Sequence, residues 1–584
     1  MSAAPEQRRE SFSLLWPEGD AVPREETTLP PDATEDLALN SVLAAMADGE
    51  RQRKLLERIL LRPTHNCRTI RYRQEIMDDL LRLPALLDRI EQLMPVLEAL
   101  AYDYYRRQGE ENSALVEVTW RLGELENVVA CVSGLSETFA DVGDRLQAEG
   151  WQRLRQEIEQ IAADDVFQQM AAELPEMLEE VRASKSITIG VNLDHHLQPV
   201  EATLLSVNDR PFRESSLLSR LLPGDGQQWR GIARLHERTP PQRMLIGAGM
   251  PLPVPSRVNP MLEPLFRDLA QVLNKVCQPI ARALEAYKSI SARLLVNLYQ
   301  ELVFYLAGVR LVQRLQRANL PVCQPQLVAA EERVCQVQEA YNVALALGKL
   351  RGRQDADLQA EIVTNPIFLD PEGRIQILTG PNQGGKTTYL QAVGLIQVLA
   401  QTGLPVPGAE ATLAPADGIY THFPAEEQLD KGTGRFGEEA RRLKEIFQEV
   451  TPHSLLLFNE PLTSTSFGES LYLAQDLIRV MRRLGLRAIF TTHMHELADS
   501  VQQINEDTEG DGRVISIVAS RIEEGARETG ADGLIPRSYE IRPGPPVGRS
   551  FARDLAQRYG ISHRQLLDDL QERGLLTEDE QDGN

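Results

Sequence analysis

The sequence predicts a multidomain protein, mostly α-helical over its first 350 residues, with a small β-containing insertion, followed by an α/β domain. Three observations predict it. Leu, Ile and Val recur at spacings of three and four from about residue 41 to 182, and again from Met261 to about Ala318, which is the period of amphipathic helices. Between these runs, SITIGVNLDHHLQPVEATLLSVNDRPF (186–212) alternates β-branched with polar residues and is broken by Asn-Asp and Pro, the pattern of strands joined by turns. Beyond Gly352, short apolar runs such as IQILTG, SLLLFNE and RAIFTTH alternate with helical patterns, which marks a largely parallel sheet.

The segments follow in order. Residues 1–40 are rich in Pro, Glu, Asp and Thr and are expected to form a flexible arm. Residues 41–185 read as a helical core with an outgoing arm; Glu, Gln, Arg and Leu dominate 145–182 and Gly and Pro are sparse there, which favours extended helices. The β-containing insertion is expected over 186–255, up to the Pro-rich PLPVPSRVNP, with returning helices over 256–350. The α/β domain takes 351–545, and a helical tail ending in the acidic TEDEQDGN takes 546–584.

Composition narrows the function classes. The 584 residues suffice for three to five domains and a sizeable core. With 62 Lys and Arg against 85 Asp and Glu, the net charge of −23 argues against coating nucleic acid by bulk electrostatics, because each phosphate contact needs a cation to displace counterions. It leaves room for a local basic surface. The five cysteines form no C-x-x-C pair and are odd in number, so neither a zinc site nor a disulfide framework is indicated, and a reducing, cytoplasmic compartment is expected. The N-terminus has no apolar h-region and no run of about 18 apolar residues occurs, so neither secretion nor membrane spanning is expected.

The strongest chemical signal is Gly380-Pro381-Asn382-Gln383-Gly384-Gly385-Lys386-Thr387, a full G-x-x-x-x-G-K-[ST] pattern between the strand-like 374–379 and the helix-like TYLQAVGLIQVLA, with Thr388 the next residue. Glycines let successive N–H groups turn toward phosphate oxygens, and the helix N-terminus adds its positive dipole end. Lys386 pairs with β/γ-phosphates and Thr387 can ligate Mg²⁺. ATP with Mg²⁺ is the implied ligand. About 70 residues on, the buried-type strand of SLLLFNE ends in Asn459 and Glu460, where an ABC-type P-loop ATPase places its Walker B pair. Glu460 would polarise the attacking water; Asn459, standing where Asp is usual, offers Mg²⁺ an oxygen by way of water but no charge. RAIFTTHMHEL then runs into two histidines, of which His493 comes first and is placed to contact a γ-phosphate; a metal reading of His493, His495 and Glu496 competes with it.

These residues and their spacing resemble the ATPase domain of the MutS family. The likeness runs through Asn365-Pro366, the GPNQGGKTTY loop, LPVPGAEATLAPADGIYTHF (404–423), the Walker B strand with TSTS (463–466), TTHMHEL, and Arg549-Ser550-Phe551-Ala552. A further likeness covers LLERILLRPTHNCRTIRYRQEIMDDLL (55–81), similar to the family's core segment, with Ile70 and Arg73 on its pattern; the helical arms and β piece resemble its levers and clamp. The resemblance implies an ATPase, turning ATP and water into ADP and phosphate, completed in a homodimer and gating a clamp on double-stranded or branched DNA in repair or recombination.

Departures from the family pattern carry expectations of their own. The core-like segment begins near residue 40, which leaves no room for a mismatch-reading module, and no HGxGxG-like Smr segment is present, so little mismatch preference is expected. The trans-acting signature falls on Gly434-Arg435-Phe436, without the serine hydroxyl that would reach a partner's γ-phosphate, though Arg435 could supply charge. With Asn459, this points to slow hydrolysis. Residues 205–245 carry seven arginines against four acids, and Arg210, Arg213, Arg230 and Arg234 are candidates for phosphate-backbone contacts; a solvated surface of mixed charge is the competing reading. The alternative function is an ATP-gated scaffold with little turnover that binds a protein partner or branched DNA.

Overall fold

The computed structural model describes residues 12–17, 29–107, 114–183, 186–196, 199–208, 213–214, 230–231, 284, 287, 292–353, 355–381, 384–424, 435–521, 537–545, 560 and 562–573. Among the described residues eight α-helices come first: α1 (Pro31–Asp36), α2 (Leu39–Met46), α3 (Glu50–Leu60), α4 (Cys67–Arg82), α5 (Pro84–Arg107), α6 (Ala114–Val142), α7 (Glu149–Ala162) and α8 (Asp165–Ala183). Strands β1 (Ser186–Leu193), β2 (Pro199–Asn208), β3 (Arg213–Glu214) and β4 (Arg230–Gly231) follow, then helix α9 (Arg293–Arg317). The remainder alternates: β5 (Val322–Cys323), β6 (Gln326–Leu327), β7 (Cys335–Ala340), α10 (Val343–Lys349), β8 (Asn365–Leu369), β9 (Ile375–Thr379), α11 (Lys386–Thr402), β10 (Val406–Pro407), β11 (Glu410–Leu413), β12 (Ile419–His422) and α12 (Arg435–Glu449). It closes with β13 (Leu455–Asn459), α13 (Phe467–Leu484), β14 (Arg487–Thr491), α14 (His495–Asp499), α15 (Val501–Asp507), β15 (Val514–Arg521), β16 (Arg537–Pro543) and α16 (His563–Glu572).

The chain divides into two compact units, one of Met1–Phe12, Pro84–Leu146 and Trp151–Tyr299, the other of Ser13–Leu83, Gln147–Gly150 and Gln300–Asn584. In the first, the long helices α5 and α6 pack together, and Gly134 permits their approach, since a Cβ there would lie 2.5 Å from Leu93 Cδ2. Strands β1 and β2 pair antiparallel from Ser186↔Asn208 to Leu193↔Pro199, and β3 pairs with β4 in parallel with Arg213 opposite Arg230. Arg210 and Arg234 lie outside the described residues.

The second unit is built on a six-stranded sheet in the order β12-β13-β14-β9-β15-β16, parallel but for the antiparallel β15/β16 edge. Its strands are apolar on both faces because helices cover both. Leu456 and Phe458 of β13 pack with Ile375, Ile377 and Phe490 against Leu443 and Ile446 of α12 and Ile478 and Met481 of α13. The intervening Leu457 points the other way, as alternate strand residues must, to α11 at Gly394. A four-stranded sheet, β6-β11-β7-β8, lies in the same unit.

The structure corrects the expected organisation in three places. Residues 1–40 are not a loose arm throughout. Leu14 is fully buried; Glu301 accepts hydrogen bonds from the Ser13 hydroxyl and the Leu14 N–H, and Arg73 reaches the Leu15 carbonyl at 2.9 Å and stacks over Trp16. Beyond it, Leu37 is buried and Asp36 accepts from Thr421 Oγ1 at 2.6 Å. Apolar FSLLW and LALN supply surface to bury that the surrounding Pro and acidic residues masked in the composition. Second, α1 to α4 belong with the α/β unit rather than with a separate helical core. Third, residues 322–340, expected among the returning helices, form strands β5 to β7. Among the described residues one helix, α9, is long and apolar enough to cross a membrane, and 78% of its most apolar stretch is buried inside the protein.

Candidate nucleotide-binding site

The site grows from the C-terminal end of β9. Gly380, at φ +146°, leaves the strand where a Cβ would lie 2.7 Å from Ala519 Cβ, and Gly385, at φ +90°, turns the chain into α11. Asn382 and Gln383 lie outside the described residues. Lys386 opens α11 almost fully buried, and its ammonium curls back to donate to the carbonyls of Gly380 (2.9 Å) and Pro381 (3.3 Å). Burial lowers its proton affinity, with Glu460, 3.4 Å away, pulling in the opposite direction.

Parallel pairing of β9, β14 and β13 brings three sequence-distant residues to this loop. Asn459 ends β13 opposite Thr491, and its Oδ1 accepts from Thr491 Oγ1 at 3.0 Å and from Thr387 Oγ1 at 3.4 Å. Glu460 follows at φ +51° and Leu462 at φ +65°, each a left-handed conformation costing on the order of 1–3 kcal/mol for a residue with a side chain. The Glu460 N–H is held by the Thr491 carbonyl (3.1 Å) and hydroxyl (3.0 Å). Its carboxylate lies 2.7 Å from His493 Nε2. Burial pushes the Glu460 carboxyl up, but His493 and Lys386 outweigh it and hold the group below the usual carboxylate range.

A cavity of about 720 Å³ opens beside these residues, within the range of small-molecule sites. Its lining includes Pro381, Gly384 to Tyr389, Asn459 and Glu460, together with Leu345, Val363, Asn365 and Tyr539. Two of its determinants, Tyr539 and Asn342, carried no local signal. Tyr539 is 44% exposed, sits at φ +54° and approaches Gly385, while Asn365 pins it by donating to its carbonyl (3.0 Å) and accepting from the Ile541 N–H (2.6 Å). Asn342 caps α10 and donates to the Thr388 carbonyl at 3.1 Å. The Asn-Pro pair was visible in the sequence; that its partner is a tyrosine 174 residues away was not.

The structure thus brings Lys386, Thr387, Asn459, Glu460 and His493 together. His493 does not line the cavity and reaches it through Glu460. Gly434 lies outside the described residues, Arg435 begins α12, and Phe436 is 37% exposed and absent from the cavity lining. Among the described residues no group of three or more His, Cys, Asp or Glu is placed to hold a metal ion by itself.

Two family models match the chain. The MutS domain V model matches residues 376–520, which hold the glycine loop, strands β13 and β14 and His493, and the MutS2 N-terminal domain model matches 65–318. Over both stretches the chain is similar to the MutS family. Its relatives include the DNA mismatch repair protein MutS of Lactobacillus johnsonii (31% identical over 205 residues, 35% of this chain and 22% of that protein). Others are MutS of Shouchella clausii (36% over 172 residues, 29% and 20%) and the endonuclease MutS2 of Thermus thermophilus (32% over 206 residues, 35% and 25%). The matched stretch spans a quarter or less of each relative's length. The helical part is similar to MutS2, a distinction that the ATPase motifs did not make.

Proposed function

We propose that this MutS-like chain binds ATP with Mg²⁺ in the cavity beside Lys386 and hydrolyses it slowly to ADP and phosphate, using nucleotide state to gate a grip on DNA. The observation that carries the reading is the convergence of Lys386, Thr387, Asn459 and Glu460 on one cavity from two stretches some 70 residues apart. The glycine loop N–H groups and Lys386 would bind the β- and γ-phosphates, and Tyr539 with Val363 would cover the base. The adjacent oxygens of Thr387 and Asn459 suit a hard cation and would hold Mg²⁺, Asn459 by way of water; when bound, the ion supplies charge neutralisation on the phosphates. Glu460 orients the attacking water and takes its proton, with His493 steadying the carboxylate.

The grip on DNA rests on family likeness and on the arginine-bearing 205–245 stretch, and a homodimer in which Gly434-Arg435-Phe436 meets a partner's nucleotide suits the exposure of Phe436. Little preference for mismatched duplex is expected. The test is phosphate release with and without duplex, mismatched and branched DNA over a salt series: DNA-responsive hydrolysis whose binding constant falls steeply with salt supports the reading. The uncharged Asn459 favours a second reading, an ATP-gated scaffold for a protein partner or branched DNA, in which nucleotide binds but turnover ignores DNA.

A further inference from the structure

We propose that Glu439 is a positioning residue for Glu460, tying helix α12, which follows Gly434, to the turn that carries the water-activating carboxylate. The proposal rests on the hydrolysis reading above. Glu439 lies one turn into α12, and its side chain is only 12% exposed. Its carboxylate accepts from the Leu462 N–H and the Ser464 hydroxyl, and His422 Nε2 stands 3.3 Å away. Burial pushes its carboxyl up, yet the bonds from His422, Ser464 and Leu462 hold it below the usual range, so it remains an acceptor.

The turn from Glu460 to Ser464 holds two left-handed residues with side chains, a conformation that persists only where its surroundings over-determine it. Strand β14 grips one end, through Thr491 and the Glu460 N–H. Helix α13 reaches the middle, where the Ser470 hydroxyl donates to the Leu462 carbonyl at 2.6 Å. Glu439 grips the N–H of the second left-handed residue and the hydroxyl beyond it, and it does so from the helix whose first turn holds Arg435 and Phe436. Whatever engages 434–436 and shifts the start of α12 therefore acts on the direction of the Glu460 carboxylate without touching it.

The test uses the full chain with Glu439→Ala, Glu439→Gln and Glu460→Gln, reading ATP turnover, ATP affinity and hydrogen exchange of the peptide covering 461–466. Glu439→Ala is expected to lower kcat at least about tenfold, or about 1.4 kcal/mol, with ATP affinity within about twofold of wild type. Exchange at Leu462 should accelerate about tenfold while peptides of α11 keep their protection. Glu439→Gln retains an acceptor for the Leu462 N–H and a donor for the Ser464 hydroxyl, and should recover kcat to within about threefold. Full turnover in Glu439→Ala beside an inactive Glu460→Gln overturns the tie alone. So does loss of α11 protection and ATP binding along with turnover, or a glutamine variant no better than alanine. Undiminished turnover in Glu460→Gln overturns the hydrolysis reading and, with it, the catalytic meaning of the tie.

Discussion

Glu460→Gln perturbs the site in two directions that can be worked from the geometry. Glu460 lies 3.4 Å from Lys386 Nζ. Two unit charges at that distance attract by about 5 kcal/mol at an effective dielectric of about 20 and by about 1 kcal/mol at that of water. Lys386 is 4% exposed but Glu460 keeps 26%, so screening brings the net coupling toward the lower figure, about 1–1.4 kcal/mol. A phosphate that takes Lys386 must break this pair, and an amide has no charge with which to compete. ATP affinity is therefore expected to rise about five- to tenfold. Turnover is expected to fall at least about a hundredfold, because the amide cannot accept the water's proton. Equilibrium titration with a fluorescent ATP analogue and a phosphate-release assay, on the same preparation with Mg²⁺, read the two effects. Weaker binding by the variant would refute the competition for Lys386, and undiminished turnover would refute the base assignment.

Four further expectations follow from the same geometry. Asn459→Asp places a charge beside Thr387 Oγ1, so the Mg²⁺ concentration at half-maximal turnover should fall several-fold; an unchanged Mg²⁺ titration contradicts the metal assignment. Tyr539→Ala should weaken ATP binding by about 1–3 kcal/mol of lost stacking while sparing inorganic phosphate binding, and equal loss for both ligands argues against a base contact. Glu301 is pushed up to about 7 by burial, against the bonds from Ser13 and Leu14 and the charge of Arg73. A folded value above the ordinary 4.5 means that stability falls as pH rises from about 4.5 to about 7 and is level above, by at most about 3 kcal/mol; Glu301→Gln should flatten that slope in urea unfolding at pH 5 and pH 8, and an unaltered slope removes Glu301 as its source. Gly394→Ala puts a Cβ 2.3 Å from Leu37 Cδ2 and should cost about 1–3 kcal/mol, less when combined with Leu37→Ala, whereas strict additivity would mean that the two do not meet.

Much of the local structure around the candidate site could be read along the chain. Strand β9, the start of α11 and strand β13 are set by turn residues and apolar runs that act over a few positions, and each stands where the pattern places it. Gly403, at φ +86°, and Gly485, at φ +64°, stop α11 and α13 for equally local reasons. The strand content of 322–340 was harder, because VCQVQEA is too short and polar to outweigh the helical signal on either side.

What local chemistry could not supply is the choice of partners. Ser13 meets Glu301 across 288 positions, Asn365 meets Tyr539 across 174, and Glu439 meets Ser464 across a strand and a loop. Any of dozens of carboxylates or backbone carbonyls could have accepted those bonds as far as pattern and propensity go. The loop proposed to hold phosphate is thus written in eight consecutive residues, since glycine freedom and a helix N-terminus need no distant help. The placing of Tyr539 on the cavity, the anchored N-terminal segment and the bonds from Leu462 and Ser464 to Glu439 exist only once the sheet has brought its strand ends together, because hydrogen bonds to buried groups are selected by packing and not by sequence neighbourhood.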